Sequence, residues 1–268
     1  MTTSRRPFLR SLCALAAGIA ASATLGLASA HADVLANVHK NGTLRVAVPQ
    51  DFPPFGSVGP DLKPRGYDID MANLIGKELG VKVELIPVTS TNRVPFLTTG
   101  KADLVISSLG KNAEREAVID FSTPYAPFFN GVFGPTDVKL AQAGELAGKT
   151  VGVTRGAVED LELTKIAPAN TTIKRFEDNN ATISAYLTGQ VQFIATGNVV
   201  AAAVNDMTKL RRLDAKFLIK NSPCYVGIAK GETALTAKVN EIIAKAKQDG
   251  SLDAIAQRWL NAPLPKDL

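Results

Sequence analysis

The sequence predicts an α/β protein built of two similar lobes. Short apolar runs typical of buried strands alternate along the chain with helical stripes, an order that favours sheets covered by helices. One such unit occurs twice, because residues 99–108 (TGKADLVISS) resemble residues 188–197 (TGQVQFIATG). A second pair, residues 42–48 and 148–153, supports the repeat. Chance similarity between ordinary βα units is the alternative, but two lobes whose strand ends face one cleft explain both pairs.

The first 32 residues have the pattern of an export leader and are left out of the fold prediction. Arg5 and Arg6 precede an apolar run, and Ala30-His31-Ala32 has the small-x-small pattern of a signal-peptidase site. The paired arginines followed by Phe-Leu resemble a twin-arginine signal, with a general secretory leader as the alternative. The apolar run is too short for a membrane anchor. We expect cleavage near Ala32 and a soluble, exported product.

Composition and charge argue against several classes of function. The chain carries 30 Lys and Arg against 25 Asp and Glu, a formal net charge of +5, and the leader holds three of those arginines and no acid. The small charge left after cleavage argues against nucleic-acid binding. After residue 32 the sequence keeps one cysteine, Cys224, and one histidine, His39. We therefore expect neither an internal disulfide nor a metal site, and no cofactor motif is present.

The elements of the first lobe follow from periodicity and capping. Residues 42–48 alternate as a strand does, and Pro53 and Pro54 end it. Residues 69–79 carry a helical stripe that stops at Gly80. The remaining elements are a strand at 81–85, a helix that begins near Arg93 after the cap residues 89–92, and a buried strand at 104–106.

The second lobe begins after residues 131–135, an extended piece that could be a hinge strand. Residues 151–153 lead through Gly156 into a helix, and such a junction leaves backbone N–H groups free for an anion. Glu159 and Asp160 could themselves satisfy that positive end. The remaining elements are a strand at 172–176, helices at 179–187 and 198–210, a returning strand at 224–228, and two closing helices with stripes over 235–246 and 252–260.

Polar residues follow the buried strand at 104–106 and suggest a binding site. Ser107, Ser108 and Gly110 come directly after the apolar run, and Arg115 lies a few residues beyond. Ligands of α/β sheets bind outside the carboxyl ends of the strands. A guanidinium group matches a carboxylate with a planar fork of donors, so we expect Arg115 to receive a ligand carboxylate. A surface arginine paired with a neighbouring acid is the alternative.

Six segments of the sequence together resemble the periplasmic amino-acid-binding proteins of ABC importers (solute-binding protein family 3). The resemblance covers nearly all of residues 40–262 and rests on GTLRVAVPQDFPPF, GYDIDMANLIGKELGVKVE, NRVPFLTTGKADLVISSL, NAEREAVIDFSTPY, GKTVGVTRG and DGSLDAIAQRWL. It implies two Rossmann-like lobes joined by two crossing hinge strands, with lobe 1 at 33–133 plus 224–268 and lobe 2 at 134–223. It also implies a periplasmic monomer that delivers a small carboxylate ligand to a permease in the inner membrane.

The same resemblance implies roles for individual residues. Arg115 would clamp the α-carboxylate of an amino acid. Phe52 would cover the ligand side chain, although a packing role is the alternative for a lone phenylalanine. Arg93 resembles the arginine that meets a side-chain carboxylate in members that bind acidic amino acids, which favours glutamate or aspartate as the ligand. An arginine exposed to water at a helix start is the alternative role for this residue. Further contacts are expected from Ser107, Ser108, Gly110, Thr154, Ala157, Val158, Thr196 and Asn198.

Gly197 departs from the family pattern. Members that bind amino acids usually have an aspartate at this place, which receives the ligand ammonium. A charged hydrogen bond contributes about 1.5 to 3 kcal/mol, so its loss would weaken an amino-acid ligand some ten- to hundredfold. Asn198, Thr196 or Glu159 could substitute, or the ligand could be a keto acid or a dicarboxylate without an ammonium group.

Two other classes of function remain as alternatives. Cyclohexadienyl dehydratases resemble this family in fold and need a buried acid in the cleft, for which Glu159 is a candidate. A sensor domain would need a second membrane segment and an output domain, and the sequence indicates neither. No nucleophile with an adjacent base is visible, so we expect a binding protein and not an enzyme.

Overall fold

The computed structural model of the protein describes residues 33–268. The leader, with its twin-arginine-like motif and the expected cleavage near Ala32, lies outside the described residues. None of the helices described is both long enough and apolar enough to cross a membrane.

Strands and helices alternate through both halves of the described chain. The strands are β1 (Thr43–Pro49), β2 (Asp51–Phe52), β3 (Gly56–Val58), β4 (Pro64–Arg65), β5 (Lys82–Val88), β6 (Leu104–Leu109), β7 (Ile119–Ala126), β8 (Phe129–Gly134), β9 (Thr150–Thr154), β10 (Thr172–Phe176), β11 (Phe193–Gly197), β12 (Asp214–Asn221) and β13 (Cys224–Ala229). The helices are α1 (Val34–Asn41), α2 (Tyr67–Leu79), α3 (Arg93–Thr98), α4 (Ala113–Glu116), α5 (Val158–Ile166), α6 (Asn179–Leu187), α7 (Asn198–Met207), α8 (Thr233–Gln248) and α9 (Ser251–Leu260), with a short 3₁₀ helix at Ala143–Leu146.

Two five-stranded sheets of the same design form the two lobes. The first has the order β5-β1-β6-β13-β7 and the second the order β10-β9-β11-β8-β12. In each, three neighbouring strands run parallel, the fourth runs antiparallel to them, and the fifth pairs antiparallel with the fourth. This shared design accounts for the sequence repeat, and the predicted α/β fold of two lobes is confirmed. A small third sheet, β2-β3-β4, lies beside the first.

The chain crosses between the two sheets twice, from β7 to β8 and from β12 to β13. The expected first lobe ran to residue 133, whereas β8 pairs with β11 and β12 in the second sheet. Residues 131–135 were expected to be an extended piece that could serve as a hinge strand, and residues 131–134 are the later part of β8 inside the second sheet. The passage from one sheet to the other therefore falls at residues 127–128 and 222–223.

Burial of the strands places their polar ends at the cleft. All six residues of β6 are buried, as expected of a parallel strand covered on both faces. α2, α8 and α9 cover one face of the first sheet, and α3 covers the other. In the second lobe, separate apolar clusters fill the two faces of the sheet. Packing on both faces therefore holds each sheet in place. The residues at the carboxyl ends of the strands lie outside this packing and can form a site.

Candidate functional site

A cavity of about 440 Å³, counting its opening to solvent, lies between the two lobes. Seven residues that the sequence analysis singled out line the cavity: Phe52, Arg93, Ser107, Ser108 and Gly110 from the first lobe, and Ala157 and Val158 from the second.

The other four predicted site residues lie outside the cavity lining. Thr154 donates to the Oδ1 atom of Asn179 at 2.8 Å and so supports a lining residue. Thr196 is buried in β11, and the Oδ1 atom of Asn198 accepts a hydrogen bond from the backbone of Phe129. Arg115 lies behind the cavity wall that Gly110 forms.

Several lining residues were not predicted as site residues. They include Asp51, Phe128, Asn130, Asn179 and Ser222. Glu159, which the sequence offered as a substitute for the missing aspartate or as a cleft acid, also lines the cavity. Phe128 and Ser222 belong to the two crossing segments, and Asn130 belongs to β8, just after one of them. A polar residue inside an apolar strand, such as the Asn of FFNGVFG, is the signal that could have found one of them.

Arg93 presents an unpaired donor at the cavity. Its side chain is 5% exposed, and one terminal nitrogen donates to the Ser107 carbonyl oxygen. Its Nε atom is buried and has no hydrogen-bond partner. Burial lowers the pKa of Arg93, while the charges of Glu159 and Asp68 act in the opposite direction. A buried guanidinium with an unused N–H is prepared to bind an anion.

Arg115 connects the two lobes through backbone carbonyl groups. Its Nη1 atom donates to the Gly110 oxygen at 2.7 Å and its Nη2 atom to the Gly156 oxygen at 2.9 Å. Asn112 caps the short helix α4 by accepting from the Arg115 N–H, which orients the residue. Burial, followed by the charge of Arg93, lowers the pKa of Arg115 to about 9, so the group is still a cation at neutral pH.

Asp68 holds the end of β6 in an uncommon conformation. Ser108 has a φ of +40°, a region that residues other than glycine rarely adopt. Its N–H donates to the Oδ2 atom of Asp68 at 2.7 Å, and the hydroxyl of Tyr125 donates to Oδ1 at 2.6 Å. Burial raises the pKa of Asp68 to about 7, and these hydrogen bonds limit the rise. The network sets the direction in which Ser108 faces the cavity.

Glu159 places an acid on the cavity wall of the second lobe. It lies in the first turn of α5 and is 4% exposed. Burial raises the pKa of Glu159 to about 7, against the effect of its own N–H and of the charges of Arg93 and Arg115. The buried acid therefore keeps its proton to a higher pH than an exposed glutamate does.

Neighbouring side chains fill the space beside Gly197, which departs from the family pattern, and beside the lining residue Gly110. A Cβ at Gly197 would lie 1.9 Å from the Cζ atom of Phe128, and one at Gly110 would lie 2.2 Å from the Oγ atom of Ser222. Real Cβ atoms do not come so close to other atoms. A side chain at either position would therefore displace Phe128 or Ser222, whose side chains set the shape of the cavity there.

The chain is similar to known proteins over most of its length. Residues 44–262 match the family model described as "Bacterial extracellular solute-binding proteins, family 3". The chain belongs to this family. It is 26% identical over 237 residues to the L-cystine-binding protein TcyJ of Escherichia coli (strain K12), covering 87% of this chain and 88% of that protein. The resemblance predicted from the six segments is confirmed.

Solved structures of this family share the fold. An ancestral arginine-binding protein bound to arginine is 33% identical, with a TM-score of 0.75 over 81% of this chain and 98% of that one. The ancestral amino-acid-binding protein AncCDT-1, described as a precursor of cyclohexadienyl dehydratase, is 30% identical, with a TM-score of 0.78 over 84% of this chain and 98% of that one. The chain is therefore a solute-binding receptor of ABC amino-acid transport, in a family described as bacterial and extracellular.

Within residues 33–268, no three side chains of the metal-ligating types come together.

Proposed function

We propose that this family-3 receptor captures an acidic amino acid, glutamate or aspartate, in the cavity between its lobes and delivers it to an ABC permease in the inner membrane. The observation that carries the proposal is the buried Arg93, which lines the cavity and whose Nε atom has no hydrogen-bond partner. A carboxylate on the ligand side chain would accept from that donor. The relatives named above bind ligands as different as cystine and arginine, so the choice of ligand rests on this chain's own cavity.

The α-carboxylate would be held where the two lobes meet. Arg115 lies behind the cavity wall and bonds to the Gly110 and Gly156 carbonyl oxygens, one residue of each lobe, so it would favour the carboxylate through its positive charge and not as a direct donor. α5 begins beside Ala157, which makes no side-chain cap, so the positive end of the helix faces the same region. Ser108 adds a hydroxyl from the first lobe. A ligand that contacts both lobes favours the closed arrangement, because it is bound fully only there.

Direct contacts between the lobes support closure as the capture step. Asn179 donates to the Oδ2 atom of Asp51 through its backbone N–H at 2.7 Å and its side-chain amide at 3.2 Å. Thr91 donates to the Arg155 carbonyl oxygen at 3.1 Å. These contacts surround the cavity and would exclude water from the ligand. Leader cleavage near Ala32 would release the receptor into the periplasm as a monomer.

The test compares glutamate with glutamine, which differ at the side-chain carboxylate alone. Arg93→Gln should weaken glutamate by about ten- to hundredfold, the equivalent of one charged hydrogen bond, and glutamine by less than about threefold. Arg45→Gln is the matched control, since Arg45 pairs with Asp103 on the surface of the first lobe. Calorimetry gives both affinities, and thermal unfolding without ligand checks the fold. Equal losses for the two ligands would refute the role of Arg93.

A dehydratase activity is the second candidate, and Glu159 is the observation that favours it. A buried carboxyl group with a pKa of about 7 is suited to donate a proton in a cleft. Incubation with prephenate separates the candidates. Product formed by the wild-type protein and abolished in Glu159→Gln would replace the receptor with an enzyme, whereas no turnover would leave the receptor.

A further inference from the structure

Asn130 is a buried residue that stands opposite Gly197. It lies in β8 between β11 and β12, and the register of the sheet pairs it with Gly197 of β11. Residues directly opposite each other in an antiparallel pair project to the same face. Gly197 has no side chain, and Phe128 occupies the space beside its Cα. The Asn130 side chain is therefore the polar group that this pair of strands offers to the cavity.

Both polar atoms of the Asn130 side chain are unpaired. The residue is 1% exposed and lines the cavity, yet neither Oδ1 nor Nδ2 has a hydrogen-bond partner. Buried amides in folded proteins almost always have partners, so such a residue is expected to find them in a ligand. Because the amide has one acceptor and two donors, a ligand that satisfies it must offer both kinds of group.

The unpaired groups of the residues that line the cavity indicate which donors and acceptors a ligand must supply. Arg93 Nε, Asn130 Nδ2 and the Ser222 hydroxyl are donors that need acceptors, which a carboxylate supplies. Asn130 Oδ1 is an acceptor that needs a donor, and the Glu159 carboxylate on the same cavity is a second acceptor. A keto acid or a plain dicarboxylate ionised at neutral pH has no N–H or O–H to give to these acceptors. An α-amino acid has three N–H donors on its ammonium group.

We infer that Asn130 is a specificity-determining residue, whose Oδ1 atom accepts a hydrogen bond from the α-ammonium group of the ligand while Glu159 supplies the opposing charge. This inference rests on the proposed function and selects α-amino acids over their 2-oxo analogues. Residues of β8 and α5 contact the ammonium group, and Gly197 contributes only to the shape of the cavity.

The experiment measures the affinities of glutamate and 2-oxoglutarate, which differ at the α-position. In wild-type protein glutamate should bind at least tenfold more tightly. Asn130→Leu keeps the branched shape of the side chain, with larger methyl groups in place of the acceptor and donor, and the ratio of the two affinities should fall by at least tenfold. Asn130→Asp keeps the Oδ1 acceptor and adds a charge, so the ratio should rise.

Asn170→Asp is the control for added charge, since Asn170 is exposed and lies outside the cavity lining, and it should leave the ratio within about twofold of wild type. Unfolding without ligand identifies any variant that has not folded, and Asn130→Asp provides a second readout if Asn130→Leu fails. A wild-type preference for glutamate with an unchanged ratio in the Asn130 variants would overturn this inference alone. Tighter binding of 2-oxoglutarate by wild-type protein would overturn both the inference and the proposed function. Tight binding of a neutral amino acid that depends on Asn130 would support the inference and refute the acidic ligand.

Discussion

Replacing Gly197 with aspartate tests whether the contact with Phe128 determines the residue at this position. The new Cβ would lie 1.9 Å from Cζ and 2.3 Å from Cε2 of the Phe128 ring, so the ring must move. That ring packs against Phe55 at a centroid distance of 5.4 Å and against Phe52 at 6.2 Å, which leaves it little space. Overpacking of a filled core typically costs about 1 to 3 kcal/mol. We expect Gly197→Asp to lower the free energy of unfolding by roughly that amount and to weaken amino-acid binding.

The assay is urea unfolding of four proteins in a double-mutant cycle. Phe128→Ala is destabilising by itself, by about 3 to 5 kcal/mol for a buried phenylalanine. In that background the aspartate has room, so Gly197→Asp should cost at least about 1 kcal/mol less than in the wild-type background. Gly144→Asp is the matched control, because a Cβ at Gly144 meets no other atom within 4 Å. An equal cost of Gly197→Asp in both backgrounds would refute the steric explanation.

Two further predictions concern pH and closure. Burial raises the pKa values of Glu159 and Asp68 in the folded protein to about 7, above their ordinary values of 4.5 and 3.8. The folded state then binds more protons than the unfolded state, so the stabilisation from these groups is complete below about pH 4 and is lost as pH rises through about 7. Urea unfolding of the ligand-free protein from pH 5 to 8 should show that fall in the free energy of unfolding. Glu159→Gln should reduce the slope of the free energy against pH. An unchanged slope in this variant would show that Glu159 does not titrate in that range. Asp51→Ala removes the two hydrogen bonds from Asn179 across the cleft, so X-ray scattering should give a larger radius of gyration for the ligand-free variant, and an unchanged radius would argue against a role for this contact in closure.

The sequence was informative for elements whose burial is strongly one-sided or complete. β6 is buried at every residue, so its apolar run and its polar end were both visible in the sequence. α2 carries the predicted stripe and ends at Gly80, which has a φ of +69°. β12 was missed because it is an edge strand in which no residue is buried, so its apolar residues show no clear period.

Candidate site residues were predictable where they follow directly from a strand end or a helix start. Ser107 and Ser108 follow the apolar run of β6, and Ala157 begins α5. Asn130 was not predictable in this way, because its place at the cavity depends on the pairing of β8 with β11, which joins residues distant in sequence. Arg115 shows a further limit, since the sequence cannot tell that its guanidinium bonds to carbonyl groups behind the cavity wall.

The central claim is that the cavity selects an amino acid with a carboxylate side chain. Calorimetric titration of the wild-type protein with glutamate and glutamine near pH 7.5 tests it directly, because the two ligands have nearly the same shape and differ in charge. Pairing with Arg93 predicts that glutamate binds at least tenfold more tightly than glutamine. Equal affinities, or tighter binding of glutamine, would contradict the claim.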